Sequence, residues 1–257
     1  MPYYDDGRIV LYHGSCLDVL PAYLAVDHVI TDPPYARDVY RRMDSQSDPG
    51  GKMTAFRGPN IERMAAGEIG CIDELLAPVA AEIARLTKRW AIVFSDIETC
   101  HLWRVALEAG GMRYVRTGAW IKPDPMPQFS GDRPGTGFEP CTIAHAAGAM
   151  RWNGGGHPAV WHYGTVKGAD RADHPCPKPL ALMEAIIEQF TDAADDLILD
   201  PFAGSGTTLV AARNLGRRAV GIEISEEFCA VAANRLRYGT RGAVRVKAGQ
   251  IAMEEIP

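Results

Sequence analysis

Strands and helices alternate through the last third of this chain, and this alternation is the feature that most narrows its fold. The spacing of apolar residues predicts helices over 180–190, 209–215 and 226–238, with strands over 196–199 and 218–222 between them. Strands that alternate with helices indicate a parallel sheet, since a helix supplies the long return connection that such a sheet needs. We therefore predict an α/β fold with a doubly wound, mostly parallel sheet. Two further strands, 112–121 and 138–144, predict an antiparallel hairpin at one edge of this sheet.

A glycine-rich turn, Asp200-Pro201-Phe202-Ala203-Gly204-Ser205-Gly206-Thr207-Thr208, connects the strand over 196–199 to the helix that follows. Gly204 and Gly206 permit a tight turn and let a ligand approach the backbone at the positive end of that helix. Glu223 ends the next strand, 19 residues after Gly204. An acidic residue at that place typically accepts hydrogen bonds from ribose hydroxyls, so the pattern predicts a ligand that contains a nucleoside.

Three nucleoside ligands compete for this turn. A nucleoside triphosphate site requires a lysine after the glycines, and Thr207 stands there. A nicotinamide or flavin dinucleotide site favours a third glycine, where this chain has Leu209. S-adenosylmethionine has a charged amino-acid tail and no pyrophosphate, and the Asp200 carboxylate, which repels a phosphate, can face its ammonium group. A glycine turn without a ligand is the structural alternative, and Glu223 at the expected spacing argues against it.

A second motif, Asp32-Pro33-Pro34-Tyr35, follows the apolar strand predicted over 26–30. The two prolines end the strand because they have no backbone N–H to donate, and they leave their carbonyl groups free to accept. Asp32 adds a carboxylate acceptor and Tyr35 adds a flat aromatic face. The motif therefore suits a planar group that bears an amino donor. A simple proline turn explains these four residues equally well when they are considered alone.

Taken together, these motifs resemble those of the S-adenosylmethionine-dependent DNA amino-methyltransferases, which modify adenine N6 or cytosine N4. Asp32-Pro33-Pro34-Tyr35 is similar to the catalytic motif of the family, and the turn from Asp200 to Thr208 is similar to its cofactor loop. His174-Pro175-Cys176-Pro177-Lys178-Pro179 resembles the segment before that loop, whose lysine contacts the cofactor carboxylate. Trp120-Ile121-Lys122 and Phe138-Glu139-Pro140 resemble the strand pair beside the DNA-facing loop. The resemblance covers nearly the whole chain and implies the Rossmann-like class I methyltransferase fold.

The resemblance also assigns roles to individual residues. It implies a catalytic group of Asp32, Pro33, Pro34 and Tyr35. It implies a group that binds S-adenosyl-L-methionine, made up of Asp200, Phe202, Gly204, Gly206, Thr207, Thr208, Glu223 and Lys178. The family commonly has an aspartate after the first strand, whereas Ser15 follows Gly14 here. Either Ser15 or Asp18 is expected to take over the contact of that aspartate with the cofactor adenine.

The catalytic motif precedes the cofactor loop, an order that resembles the circularly permuted beta group of the family. We expect one methyltransferase domain over 1–257, with an irregular excursion over 36–70, a DNA-recognition segment over 122–171 and a cofactor-binding half over 174–240. The excursion is rich in arginine beside the catalytic motif, which favours phosphate contacts. The residues predicted to bind DNA are Arg37, Arg41, Arg42, Lys122 and Arg133.

Several chemistries are compatible with such a resemblance. The leading hypothesis is methyl transfer to adenine N6 in a short sequence context, by direct displacement on a flipped base. N4-cytosine methylation, RNA base methylation and a catalytically silent DNA-binding subunit are the alternatives. C5-cytosine methylation requires a cysteine nucleophile after a proline, which Cys141 and Cys176 offer only superficially, so we interpret both as structural.

Composition narrows the compartment and the binding partners that we expect for the protein. The chain has 257 residues and a net charge of −5, so contacts to nucleic acid require a local basic surface. Its six cysteines are scattered without a Cys-x-x-Cys pair, which argues against zinc and disulfides and fits a reducing cytoplasm. The family resemblance implies a cytoplasmic protein that is bacterial or phage-encoded. No apolar run has the length of a membrane span, and the N-terminus does not resemble a signal peptide. The expected partner is double-stranded DNA, with neither metal nor membrane, and a homodimer is an open expectation.

Overall fold

A computed structural model of the chain describes residues 1–36, 72–125, 134–167, 177–192 and 195–239. The strands in these ranges are β1 (Tyr4–Asp5), β2 (Ile9–His13), β3 (His28–Thr31), β4 (Trp90–Phe94), β5 (Arg113–Ile121), β6 (Phe138–His145), β7 (Val160–His162), β8 (Leu197–Asp200) and β9 (Arg218–Glu223). The α-helices are α1 (Cys16–Val19), α2 (Ile72–Leu86), α3 (Cys100–Ala109), α4 (Leu180–Phe190), α5 (Thr207–Asn214) and α6 (Glu226–Tyr238). A single 3₁₀ turn, Leu20–Ala22, extends α1.

The described strands form one sheet in the order β1-β2-β9-β8-β3-β4-β6-β5-β7. Strands β2, β9, β8, β3 and β4 are parallel to one another, whereas β1 is antiparallel to β2 and β6 is antiparallel to both β4 and β5. The predicted α/β class with a mostly parallel, doubly wound sheet is confirmed. The predicted hairpin is β5–β6, but it is not the outermost pair, because β7 adds a short parallel strand beyond β5. Residues 150–171 have no apolar periodicity that would predict this strand, because three residues are too few to show an alternation.

Helices cover both faces of the sheet, and the alternation of side chains along β3 and β4 shows how the core is divided. Ile30 and Ile92 belong to one buried cluster, which α4, α5 and α6 complete. Val29 and Val93 belong to the other, which α2 and α3 complete. Successive residues of a strand point to opposite faces, so the central strands are apolar on both sides. The strand ends are the part of this sheet left for polar chemistry.

Two predicted boundaries change at the places that matter for function. The strand before Asp32 was predicted over 26–30 and spans His28–Thr31, with all four residues buried. The helix after the glycine-rich turn was predicted over 209–215 and begins at Thr207. Thr207 and Thr208 therefore lie in the first turn of α5 and not in the loop before it.

In the part of the chain that the structure describes, no helix combines the length and the apolar character needed to cross a lipid bilayer.

Candidate active site

The predicted motifs come together at one edge of the sheet. Strand β3 is parallel to β8, and β8 is parallel to β9, so their carboxyl ends lie side by side. Asp32 follows β3, the glycine-rich turn follows β8, and Glu223 ends β9. In open α/β sheets, ligands bind in the crevice outside the carboxyl ends of the strands. This edge is therefore the candidate active site.

Asp200 lies at the centre of this edge and differs from what the sequence suggested. It is 3% exposed, and its Oδ1 accepts hydrogen bonds from Thr31 Oγ1 at 2.7 Å and from the Phe202 N–H at 3.1 Å. Burial raises the pKa of Asp200 to about 6, although the hydrogen bond from Thr208 opposes this rise. These donors come from the protein, and a contact between this carboxylate and the cofactor ammonium group stays a prediction. Asp200 connects the end of β3 to the glycine-rich turn.

Glu223 shapes the glycine-rich turn through backbone hydrogen bonds. Its Oε2 accepts from the Gly204 N–H and its Oε1 accepts from the Ser225 N–H, both at 2.8 Å. Burial raises the pKa of Glu223, and these backbone hydrogen bonds oppose the rise. Each carboxylate oxygen retains capacity for a second donor, so a role in binding ribose hydroxyls stays a prediction that this geometry accommodates. The adjacent Ile224 is 65% exposed, and the sequence analysis did not single it out.

The glycines of the turn have a conformational reason. Gly204 and Gly206 have φ angles of 52° and 78°, in the left-handed region that side chains disfavour. A Cβ added to Gly206 would lie 2.8 Å from the Cβ of Ala232 in α6. The turn therefore depends on a glycine here both for its backbone and for close packing against α6. Phe202 is half-buried and packs against the cluster that includes α2 and α3.

Arg235 is a residue that the sequence analysis missed. From α6 its Nη1 donates to the Ser205 carbonyl at 2.6 Å, to Ser205 Oγ at 3.0 Å and to Thr207 Oγ1 at 3.1 Å. It is 5% exposed, and burial lowers its pKa to about 10. The guanidinium group thereby fixes the turn to the helix that packs on it. No local signal distinguishes this arginine, because its partners lie at least 28 residues away in the sequence.

Asp32 has two oxygens in different situations. Its Oδ2 accepts a hydrogen bond from Lys178 Nζ at 2.5 Å. Its Oδ1 is buried and has no hydrogen-bond partner among the described residues, although the side chain as a whole is 28% exposed. Burial raises the pKa of Asp32, while Lys178 opposes that rise. A buried acceptor without a donor is costly, and such an atom at a strand end marks a place for a donor from outside the chain.

The rest of the catalytic motif is held by its neighbours. Pro33 is buried, while Pro34 and Tyr35 are half-buried. The Tyr35 carbonyl accepts from the N–H of Ile72, and the N–H of Ala36 donates to Asp96 Oδ2 at 3.3 Å. Asp96 follows β4 and was not predicted as a site residue. The motif is thereby attached to two elements that follow it in the chain.

Lys178 lies in a buried chain of charges that we call the charge chain, defined by Asp32, Lys178, Glu139 and Lys122. Besides Asp32, the Lys178 ammonium forms an ion pair with Glu139 Oε2 at 2.9 Å, close enough for strong attraction but without the angles of a hydrogen bond. Lys122 donates to the other oxygen of Glu139. Lys178 was predicted to contact the cofactor carboxylate; the structure places its ammonium on these two protein carboxylates, and the cofactor contact stays a prediction.

Lys122 was predicted to bind DNA, and its position does not support that role. Its side chain is 17% exposed, and its ammonium is committed to Glu139 and lies 4.7 Å from the centre of the Trp120 ring. Strand pairing explains the difference, because Trp120 and Glu139 are partners in the β5–β6 hairpin. The other residues predicted to bind DNA, Arg37, Arg41, Arg42 and Arg133, lie outside the described residues, as does nearly all of the excursion over 36–70.

The two candidates for the adenine contact lie near Glu223 but differ in exposure. Ser15 is half-buried at the start of α1, and its side chain forms no helix cap. Asp18 is exposed. The neighbouring Gly14 N–H donates to the Glu223 carbonyl at 2.9 Å, which places this turn at the cofactor end of the sheet. Both contacts stay predictions.

Two alternative chemistries receive no support from the described residues. Cys141 is fully buried, and burial raises the pKa of its thiol to about 12, so it is not a nucleophile at neutral pH. Cys176 lies outside the described residues. Within the described ranges, no group of three or more histidine, cysteine, aspartate or glutamate side chains is arranged to hold a metal ion.

Comparisons with known proteins bear on the family of this chain. A family model described as DNA methylase (N6_N4_Mtase) matches residues 147–234. The chain is 25% identical to the type II methyltransferase M2.DpnII of Streptococcus pneumoniae over 270 residues, covering 91% of this chain and 92% of that protein. The crystal structure of the M1.HpyAVI–SAM complex is 27% identical, with a TM-score of 0.68, over 89% of this chain and 98% of that one.

A further solved structure bears on the fold alone. PvuII DNA methyltransferase, described as cytosine-N4-specific, has a TM-score of 0.68 at 18% identity, over 90% of this chain and 87% of that one. The resemblance that the sequence predicted is confirmed by the family match, the relatives and these folds together.

Proposed function

We propose that this chain, a DNA amino-methyltransferase of the N6-adenine and N4-cytosine family, methylates adenine N6. The methyl group comes from S-adenosylmethionine, and the acceptor is an adenine flipped out of double-stranded DNA within a short sequence context. The reaction is a direct displacement without a covalent enzyme intermediate. Cytosine N4 is the alternative acceptor.

One observation carries the choice of an exocyclic amine as the acceptor: the buried Oδ1 of Asp32 lacks a hydrogen-bond partner among the described residues. An exocyclic amino group supplies the N–H donor that this atom needs. A ring carbonyl in the same place would put two hydrogen-bond acceptors side by side with no donor between them. Burying two acceptors in this way costs free energy. The atom therefore favours a substrate that presents an amine, as adenine and cytosine do.

The cofactor end of the site fits a nucleoside with a positively charged sulfur. Gly204 and Gly206 bring the backbone of the turn close to a ligand, and Glu223 offers carboxylate oxygens at the end of β9. The exposed apolar side chain of Ile224 suits the face of an adenine ring. When bound, S-adenosylmethionine supplies an electrophilic methyl group on its sulfonium. The turn has no lysine for a triphosphate, in agreement with this assignment.

The residues of the catalytic motif act on the amine. An exocyclic amine is a weak nucleophile, because its lone pair is conjugated with the ring. Hydrogen bonds from the amine to Asp32 Oδ1 and to the Pro33 carbonyl orient it and return electron density to nitrogen. Methylation leaves the nitrogen with an excess proton, and Asp32 Oδ1 is the acceptor placed to receive it. Burial raises the pKa of Asp32, which makes it a stronger base than an exposed carboxylate.

Tyr35 has a different task. Extruding a base from the duplex loses stacking energy, and an aromatic ring beside Asp32 can restore part of it, about 1–3 kcal/mol for one base. Tyr35 is half-buried. We retain 122–171 as the proposed recognition segment, without the contact from Lys122. We place the enzyme in a bacterial cytoplasm, because its curated relatives come from bacteria; a homodimer is part of the same proposal.

The test is mass analysis of nucleosides from unmethylated DNA after incubation with the protein and S-adenosylmethionine. We expect N6-methyladenine, with none from an Asp32→Ala variant. N4-methylcytosine alone would overturn the choice of base. Methylation of RNA but not DNA would overturn the choice of nucleic acid. The absence of any methylated nucleoside would favour a silent DNA-binding subunit.

A further inference from the structure

We propose that Glu139, supported by Lys122, is a positioning residue that orients the Asp32 carboxylate through Lys178. The proposal rests on the proposed function, because it concerns how the acceptor for the amine is held. Glu139 itself is not expected to contact the substrate or the cofactor. Its effect on the reaction passes through one shared ammonium group.

The position of Lys178 within the charge chain supports this inference. Lys178 Nζ lies between two carboxylates, 2.5 Å from Asp32 Oδ2 and 2.9 Å from Glu139 Oε2. Its side chain is 7% exposed, so water has little access to replace either partner. A lysine has a flexible stem and three donors, and with one carboxylate partner it is free to move between the two oxygens. The second carboxylate fixes the ammonium on Oδ2 and thereby leaves Oδ1 for the substrate.

Aromatic rings confine the same ammonium. Lys178 Nζ lies 5.1 Å from the centre of the Phe94 ring and 5.8 Å from that of Trp120. Both distances are within the range where a cation is attracted to an aromatic face. Phe94 ends β4, the strand next to β3, so this wall belongs to the rigid sheet. The position of the ammonium is therefore set by the sheet and not by the lysine stem.

The net charge of the charge chain also supports a role for Glu139. Asp32 and Glu139 carry two negative charges, and Lys178 and Lys122 carry two positive charges, so the chain is neutral when all four are ionised. Burial opposes the ionisation of Glu139, but the two lysines outweigh it and lower the pKa of Glu139 to about 2. Glu139 is thus ionised at every pH at which the enzyme works. Without it, two ammonium groups share one carboxylate, which weakens Asp32 as an acceptor for the amine.

The β5–β6 hairpin supplies both supporting residues. Glu139 pairs with Trp120 in the register of the hairpin, and the Lys122 N–H donates to the Gly137 carbonyl at 2.8 Å. Glu139 and Lys122 therefore approach each other across the two strands, at the end of the hairpin where the chain passes from β5 to β6. The consequence is a rigid link from the segment proposed to read DNA to the carboxylate proposed to bind the amine.

The experiment compares Glu139→Gln with the wild type and with Glu108→Gln, an exposed glutamate that pairs with Arg104 on the surface. Single-turnover methyl transfer is measured at saturating DNA and S-adenosylmethionine, together with the dissociation constant of the cofactor and the melting temperature. We expect the Glu139 variant to lose about 10- to 100-fold in rate, as displaced catalytic groups do. Its cofactor affinity should stay within about threefold of the wild type, and Glu108→Gln should match the wild type throughout.

A double variant separates positioning from general stability. If Lys122 acts through Glu139, then Lys122→Met combined with Glu139→Gln should be no slower than Glu139→Gln alone. Additive losses in the double variant would overturn the role of Lys122. If Glu139→Gln does not fold, Lys122→Met alone is the second variant, and its rate should fall while its cofactor affinity holds.

The outcomes distinguish this proposal from the proposed function. A wild type that methylates DNA and a Glu139→Gln variant of equal rate would overturn the positioning role alone. An equal loss of rate and cofactor affinity in that variant would overturn it too, because Glu139 would then serve the cofactor. A wild type without methyl transfer would overturn the proposed function instead.

Discussion

The two halves of the site hold their carboxylates in opposite ways. Glu223, on the cofactor side, receives one backbone N–H on each oxygen, both from residues of the adjoining turns. Asp32, on the acceptor side, receives one ammonium from a residue 146 positions away and leaves its other oxygen without a partner among the described residues. Folding alone completes the first arrangement. The second is complete only when a donor arrives from outside.

This difference suggests that the cofactor side of the site serves binding and the acceptor side serves the chemical step. A carboxylate held by its own backbone gives a site of fixed shape, which favours affinity for the group that fits it. In the proposed function, the buried Oδ1 of Asp32 gains its donor when the substrate amine binds, so it favours reaction of that amine over binding of other groups. Substitutions on the two sides should therefore change different measured quantities.

The largest effect is expected at Asp32. Asp32→Asn keeps the shape of the side chain but removes the charge and the acceptor for the proton of the amine. We expect single-turnover methyl transfer to fall about 10²- to 10³-fold, with cofactor affinity retained, as measured by a rapid-quench assay and by calorimetry. Asp195→Asn, at a side chain that is 83% exposed, is the matched control and should have the wild-type rate. Retained activity in Asp32→Asn would contradict the claim that the acceptor side of the site serves the reaction itself.

The next effect concerns the fixed shape of the cofactor side. Gly206→Ala places a side chain on a backbone with φ of +78° and sets its Cβ 2.8 Å from Ala232. We expect the free energy of unfolding to fall by about 2–5 kcal/mol, from left-handed strain and overpacking together. Gly216→Ala has a similar φ of +66° with nothing within 4 Å of the added Cβ, so it should lose about 1–2 kcal/mol. Equal losses in urea unfolding would show that packing against α6 is unimportant.

A smaller effect should appear in the pH dependence of stability. The pKa of Asp200 is raised from 3.8 to about 6 by burial, so its contribution to stability is present below pH 3.8 and is lost as the pH rises through 6. Asp200→Asn has no such ionisation. The unfolding free energy of the variant relative to the wild type should therefore rise between pH 4 and pH 7, by up to about 3 kcal/mol. Urea unfolding at several pH values measures it, and a constant difference would refute the assignment.

The smallest effect is expected at Glu223, and it tests most directly whether the two sides of the site differ. Glu223→Gln exchanges one acceptor oxygen for an NH₂ group, which then faces a backbone N–H donor. We expect the dissociation constant of S-adenosylmethionine to rise about tenfold, while the single-turnover rate at saturating cofactor changes little. Glu184→Gln, a surface acceptor for Asn214, is the control. A rate loss at saturating cofactor as large as that of Asp32→Asn would mean that the two sides do not differ as described.

Local patterns in the sequence were enough for the fold and for the placement of the motifs. The apolar spacing of α2 and α4 and the turn at Gly204 and Gly206 are properties of short segments, and parallel pairing then brings the strand ends together. Asp32 follows one predicted strand and Glu223 ends another, so parallel pairing is enough to place both at one edge of the sheet.

The partners of the charged groups could not be predicted in this way. Lys178 and Asp32 lie 146 residues apart, and nothing local to either indicates the other. Lys122 has the sequence context of a DNA contact, yet strand register turns it toward Glu139. Arg235 has the appearance of a surface residue near a helix end until α6 packs on the turn. Tertiary packing decides such pairs, and a pattern of single residues does not record it.

The hydrogen bond between Thr31 and Asp200 has a consequence for how the protein is made. It joins neighbouring strands whose residues are separated by 169 positions. At a synthesis rate of roughly 5–20 residues per second, β8 emerges from the ribosome roughly 8–35 seconds after β3. During that interval β3, whose four residues are all buried in the finished sheet, lacks one of its two neighbours. An open strand edge invites pairing with other chains, so the cellular yield of this protein should depend on chaperones that shield nascent polypeptides.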